Sequence, residues 1–546
     1  MTQQDLFYKQ AERVFYRWLE LNPTTATETG DHRFDGKLGD FTPDALEGQN
    51  RELKQALLDF QATDTATFSR EARIDHTLMV HVLKSLVRRH ERLARHRRDP
   101  GSYFDEVLGG VFTLIIKDFA PIEVRLASCL GRVREAPRVF DEARANIAVA
   151  EVPPVWAEIA LEQAKQAPGV FLGLLPGIAA QAAPGLEADF SAAGKSAAEA
   201  AAAYGEFLEQ QVLPRAAGDF AVGRTVFDEM LREDHMVDYD ADQLVDTGWR
   251  LLRETEAQIA AVASEIDPAK SVPEILEAAK ADHPTAEGLL KAYEQAMEAT
   301  RQFVIDHDIA GIPPDETLRV IETPVYARPV LPYAAYMPPG ILEAQQHGLF
   351  LVTPIEPGMA PDLVEQKLKG HNFAKLPVTA LHEGYPGHHL QLVWSNRQKS
   401  IPRRLGPFLS TLFIEGWAFY CEEMMEQMGY ISRPVQRLGR LSDQLWRAAR
   451  IVIDPSLHTR GMTVEQAVDL LVSRCRLEPA NALAEVRRYT GSPTQPQSYL
   501  MGKLALLDIV KAYRAEHPDV TLRQMHDAIL GCGSLPPKLM RLQLLG

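Results

Sequence analysis

The run His382-Glu383-Gly384-Tyr385-Pro386-Gly387-His388-His389 concentrates the groups in this chain that could do chemistry. Imidazole is the commonest metal ligand, and a carboxylate beside a metal-bound water can take its proton. A hydrolytic zinc site needs three protein donors, an open coordination position and such a base. The usual arrangement sets two histidines four residues apart on one helix, with the glutamate after the first. Here the position four after His382 is Pro386, and the next histidines are His388 and His389. On an unbroken helix His382 and His389 would share a face but stand ~10 Å apart, too far for two zinc bonds of ~2 Å. Pro386 removes a helix hydrogen bond and Gly387 admits unusual dihedrals, so the pair is expected to host a bulge that returns a later histidine to the metal. His388 is the preferred second ligand and His389 the competing one.

Other candidates lie downstream. Glu415, within Phe413-Ile414-Glu415-Gly416-Trp417-Ala418, is an acidic residue in an apolar stretch. A buried carboxylate is costly unless paired or bound to metal, which makes Glu415 the candidate third ligand. Glu422 is on the same helical face and either orients a ligand histidine or, with Glu423 and Glu426, faces solvent. Glu383 is the expected proton acceptor. His458, after Asp454-Pro455-Ser456-Leu457, either donates to a developing oxyanion or caps helix carbonyls. Tyr489 is a further tyrosine candidate, with core packing as its alternative. Arg450 either pairs with Asp454 one turn on or binds a substrate carboxylate through its planar fork, which would imply removal of residues from a free C-terminus. Arg487 and Arg488 are alternatives for that task.

These residues need a scaffold. Up to about residue 310 apolar residues recur at helical spacing between Pro and Gly breaks, as in Phe7 to Leu21, Ile74 to Leu93 and Ala241 to Ile266. The alanine- and glutamate-rich stretch Ala192 to Leu213 reads as a long scaffold helix. Between Asp308 and Pro354 short alternating runs, Leu318 to Thr323, Ala334 to Met337 and Leu349 to Thr353, predict strands of a small sheet, which either braces the core or offers an edge to a peptide. Helices return from Pro361. The expected fold is mainly α and bilobed, with a small antiparallel sheet beside a cleft. Residues 1–310 would form one helical wall, and residues 311–546 the catalytic region.

Composition narrows the function classes. With 546 residues, 46% of them hydrophobic and 24% charged, the chain can bury a large core. A formal charge of −16 argues against nucleic acid or an anionic membrane as partner, and the cluster from Arg88 to Arg98 reads as a solvated face. The four cysteines, Cys129, Cys421, Cys475 and Cys532, lack the spacing of a sulfur-ligated zinc site or a disulfide framework. With the polar start Met1-Thr2-Gln3-Gln4-Asp5 and no long apolar run, they lead to a cytoplasmic expectation.

The motifs His382 to Gln391, Glu415-Gly416-Trp417-Ala418, Leu445-Trp446-Arg447-Ala448-Ala449-Arg450 with Asp454 and His458, and Tyr499 to Lys503 resemble those of the bacterial family catalogued as domain of unknown function 885. Their order covers most of the chain; in the N-terminal half the likeness is helical style and pieces such as Gly30-Asp31-His32. The resemblance implies a helical metallopeptidase-like fold. More distantly, the chain is similar to helical zinc peptidases such as thimet oligopeptidase and angiotensin-converting enzyme. In peptidases that use a glutamate as third ligand it follows roughly 25 to 35 residues on, where Glu415 stands. The segment Gln497 to Lys503, after the loop Thr490-Gly491-Ser492-Pro493, resembles their tyrosine-bearing loop and helix, which implies that Tyr499 stabilises the tetrahedral intermediate. The expectation is then one Zn2+ held by His382, His388 and Glu415, with Glu383 as base, Tyr499 or His458 as oxyanion donor and Arg450 as substrate contact. The substrate would be a peptide, cleaved by carboxypeptidase or dipeptidase action; the alternatives are a zinc hydrolase of a non-peptide amide or ester and a catalytically silent binding protein.

Overall fold

Helices form where the sequence supplies both a start signal and an apolar stripe. Ala241–Ile266 opens on Asp240, whose carboxylate accepts the Gln243 N–H while the Gln243 side chain accepts the Asp240 N–H. This exchange satisfies amides that a first turn leaves without partners. The helix buries Leu244, Leu251, Leu252 and Ile259, packing along Pro434–Thr459. Gly248 permits the close approach, since a Cβ there would stand 2.9 Å from the Val452 backbone nitrogen.

The computed structural model describes residues 2–324, 328, 331, 333–356 and 358–546. The fold is mainly α with one small sheet. The other helices expected from periodicity are Gln3–Leu21, Arg70–Arg88, which continues through a π turn to Leu93, and Glu187–Phe207, which runs on to Val212. One apolar cluster is built from residues between Leu38 and Val212. The other two cross residue 310: Phe7, Phe60 and Tyr293 share a core with Trp417 and Leu506, and Leu244 and Ile259 with Leu412 and Leu445.

The strands β1 (Glu316–Glu322), β2 (Ala334–Met337) and β3 (Gln346–Val352) lie where alternation placed them. The sheet is mixed rather than antiparallel, in the order β1-β3-β2. β3 is central, parallel to β1 and antiparallel to β2. Alternation reports which side chains share a face and carries no information on direction. Direction is set by the connections, and residues 338–345 return β2 onto β3.

Among the described residues no helix is long and apolar enough to cross a membrane.

Candidate metal centre

His382 ends the helix Leu376–Glu383, and His388 begins the helix His388–Asn396. The helix stops between them rather than bulging. Gly384 takes φ −103°, ψ −97°, Gly387 takes φ −71°, ψ −134°, and the Tyr385–Pro386 peptide is cis. The Gly387 N–H donates to the Leu381 carbonyl at 3.1 Å. A Cβ on Gly387 would fall 1.9 Å from the His382 carbonyl oxygen, so the turn requires glycine there. From below, the Trp417 indole N–H donates to the Pro386 carbonyl at 2.7 Å, tying the turn to the helix Leu412–Gln427 that carries Glu415.

This turn brings His382, His388 and Glu415 together, with one possible ligand atom from each inside a 4.8 Å circle. Among the described residues no other group of three His, Cys, Asp or Glu side chains converges in this way. The two imidazole rings are 4.7 Å apart at 87°, and His388 Nε2 is 3.5 Å from Glu415 Oε2. His388 Nδ1 is buried without a hydrogen-bond partner. The His388 and Glu415 side chains are 12% and 14% exposed, so the cluster is not sealed from solvent. Two imidazoles and a carboxylate are donors that zinc or a related first-row ion accepts.

The surroundings orient these donors. His382 Nδ1 is 2.8 Å from Glu422 Oε1; with the buried Glu422 carboxylate accepting from Nδ1–H, Nε2 is left free to serve as a ligand atom. Burial favours neutral His382, but the hydrogen bond and charge of Glu422 outweigh it and raise its pKa. Burial likewise pushes the Glu415 carboxyl upward, yet bonding to His388 and the nearby histidine charges bring it below the usual carboxylate range. The nearby Tyr499 hydroxyl also helps hold the Glu415 pKa down, and burial raises that of Tyr499 itself, so it is a neutral donor. Gln495 Nε2 approaches Glu415 Oε1 at 3.5 Å. Glu383 adjoins His382, and its charge acts on both His382 and Tyr336.

Glu415 and Tyr499 meet because two helices touch backbone to backbone. Leu412–Gln427 and Ser498–Glu516 cross where a Cβ on Gly416 would lie 2.3 Å from the Gly502 carbonyl carbon, and one on Gly502 would lie 1.9 Å from the Leu412 oxygen. Nearby, Lys503 is buried and ion-paired with Glu423. Glu423 is thus not the solvent-facing residue that its spacing suggests.

His389, the competing ligand, lies elsewhere. Its Nε2 is 2.6 Å from Glu316 Oε2 and its Nδ1 3.0 Å from the Tyr336 hydroxyl, and the ring is fully buried. Tyr385 also donates to Glu316, at 2.5 Å. His389 therefore pins the sheet to the helix His388–Asn396. His458 is also fully buried: it packs against Phe220 and Phe227, with Nε2 3.1 Å from the Tyr489 carbonyl oxygen. It belongs to helix Pro434–Thr459 and not to a following loop, and burial drives its pKa down to about 4. Arg450 does not pair with Asp454. Its Nε donates to the Tyr489 hydroxyl at 2.8 Å and its Nη2 to Glu485 at 3.1 Å. Arg487 pairs with Glu158 and Glu162, and Arg488 with Glu485. Sequence reasoning missed Tyr336, Glu316, Arg447, Asp443 and Gln495 as neighbours of the site. For Arg447 a signal existed, since it lies three residues before Arg450 and hence on the same helical face.

The order and spacing of these groups match a known family along the chain. The chain belongs to the bacterial DUF885 family. The model of this family, described as "Bacterial protein of unknown function (DUF885)", matches residues 23–544. Two solved structures have the same fold. One, described as "a putative lipoprotein of unknown function" from Shewanella oneidensis, is 25% identical at a TM-score of 0.80, over 98% of this chain and 99% of that chain. The other, a "putative lipoprotein" from Colwellia psychrerythraea, is 16% identical at a TM-score of 0.84, over 99% of this chain and 98% of that chain. No curated protein matches the chain. The cytoplasmic expectation is corrected by these two structures, each described as a "putative lipoprotein". Its physical basis was weak: all four cysteines are free and buried, where they act as small apolar residues and report nothing of the redox compartment.

Proposed function

We propose that the chain is a metal-dependent hydrolase of peptide bonds, with zinc the ion that its donors fit best. The observation that carries this reading is the convergence of His382, His388 and Glu415 within 4.8 Å, with Glu383 next in sequence to a ligand histidine. A zinc ion held there would polarise the scissile carbonyl and acidify a water. Glu422 holds the His382 ring in the tautomer that presents Nε2. Glu383 takes the proton of the attacking water and delivers it to the leaving amine. Tyr499, neutral and already directed at Glu415, donates a hydrogen bond to the carbonyl oxygen as charge develops on it, an interaction worth ~2.7–4 kcal/mol of barrier. His458 is buried against aromatic rings and takes no part.

The test combines metal analysis of the purified protein with mass spectrometry of products from a defined peptide mixture. The proposal expects about one zinc per chain, with Glu383→Gln keeping the metal while hydrolysis falls roughly 10²- to 10⁴-fold. A metal-free protein, or undiminished hydrolysis in the variant, would overturn it. Cleavage of small amides but of no peptide would move the assignment to a non-peptide amide hydrolase.

A further inference from the structure

The helix Pro434–Thr459 carries two arginines, Arg447 and Arg450, whose guanidinium carbons lie 5.5 and 4.8 Å from the centre of the Tyr499 ring. Both also lie against Trp446, at 4.8 and 4.2 Å. Arg450 is only 3% exposed, yet its Nη1 has no hydrogen-bond partner, and neither does the buried Nε of Arg447. Arg450 pairs with Glu485, which the exposed Arg488 also reaches, and Arg447 lies beside Asp443, which the exposed Lys375 also reaches. A buried guanidinium N–H without a partner is costly unless an acceptor arrives to pair with it.

We infer that Arg450, assisted by Arg447, binds the free α-carboxylate of a peptide C-terminus, so that the substrates are short peptides shortened from that end. This rests on the metallopeptidase reading for the bond-breaking step and on the arginine cluster for the choice of bond. A guanidinium fork meets a carboxylate through two parallel N–H···O bonds, a geometry that an amide or an internal peptide group cannot reproduce. Tyr499 joins the two halves of the site, with its ring beside Arg450 and its hydroxyl at Glu415. Arg450 and the Glu415 carboxylate thus lie on either side of one phenol ring, and an extended chain advances ~3.3–3.6 Å per residue. A peptide anchored at Arg450 presents its last or next-to-last peptide bond to the metal side. Water adds across that bond: its oxygen goes to the acyl carbon, one proton goes through Glu383 to the departing amine, and a single amino acid or a dipeptide leaves.

Calorimetric binding of N-acetyl-alanyl-alanine and of N-acetyl-alanyl-alaninamide to chelator-treated wild-type protein tests the subsite without hydrolysis. The acid is expected to bind roughly 10- to 150-fold more tightly than the amide, the range for a hydrogen bond to a charged group. Arg450→Lys, which keeps the charge and loses the fork, should remove most of that preference. In parallel, wild-type zinc-loaded protein is given a pentapeptide with a free C-terminus and its C-terminal amide; the acid alone should lose one or two residues. Equal binding of acid and amide, or internal cleavage regardless of the terminus, overturns the inference while leaving a peptidase in place. Preferential acid binding without any hydrolysis supports the subsite and counts against the metallopeptidase reading instead.

Discussion

A methyl group added at residue 416 is the smallest change that should disassemble the site without touching a donor. The Cβ of Gly416→Ala would lie 2.3 Å from the Gly502 carbonyl carbon and 2.7 Å from its Cα and from the Lys503 nitrogen. All three are backbone atoms, so no side chain can swing aside. Ordinary contact begins near 3.4 Å, and the helices bearing Glu415 and Tyr499 must separate by about 1 Å, a misplacement that in active sites costs on the order of 10²-fold in rate. Overpacking of this kind typically costs ~1–3 kcal/mol of stability. Gly439→Ala is the control: it lies in the helix Pro434–Thr459, where a Cβ would meet nothing nearer than 3.6 Å, and alanine favours helix over glycine by about 1 kcal/mol. Zinc affinity by chelator competition and peptide turnover, measured on both variants, decide the matter. Gly416→Ala should lose at least tenfold in each, and Gly439→Ala should match the wild type. Wild-type affinity and turnover in Gly416→Ala would refute the view that the glycine crossing sets the position of Glu415.

Glu422→Gln removes the carboxylate that orients His382 and should weaken zinc binding ~10–100-fold with the fold retained; unchanged affinity in chelator competition would assign Glu422 a packing role only. His235, His371 and His526 are buried and kept neutral, with burial pushing each from the ordinary 6.5 down to about 4. Below pH 6.5 the unfolded chain takes up protons that the folded chain refuses, so stability is complete above that pH and is lost as pH falls toward 4. The loss is up to ~1.4 kcal/mol per pH unit for each group. Urea unfolding of chelator-treated protein at pH 7 and pH 5 should show it, and His526→Gln, which can still bond to Tyr420 and the Ile309 carbonyl as His526 does, should flatten the dependence. An unchanged slope in that variant would contradict the assignment.

The parts of the fold legible in the sequence are those set by neighbours in sequence. Ala241–Ile266 could be read from its stripe and its capping pair Asp240 and Gln243, and the strands from alternation. In the histidine run, a proline and a glycine make a regular helix impossible, which leaves His388 preferred and His389 open, while Glu415 is marked by its apolar surroundings and by resemblance. What spacing could not supply is the partner from a distant segment. His389 is committed to Glu316, 73 residues upstream, and nothing in the histidine pair itself announces that. Arg450 has an acid one turn on, Asp454, but bonds to Glu485 from another helix, because the Arg450 side chain turns toward Tyr489 and Trp446. His458 seemed to follow a helix end because Pro455 precedes it; the helix runs through that proline to Thr459. The sheet's direction was hidden for the same reason, being decided by connections rather than by the strands.

The account stands on His388 and not His389 being the second ligand. Metal content per chain of His388→Gln and His389→Gln, measured by mass spectrometry after dialysis against a weak chelator, tests this most directly. The structure predicts almost no zinc in His388→Gln and about one ion per chain in His389→Gln. Zinc retained by His388→Gln and lost from His389→Gln would contradict it.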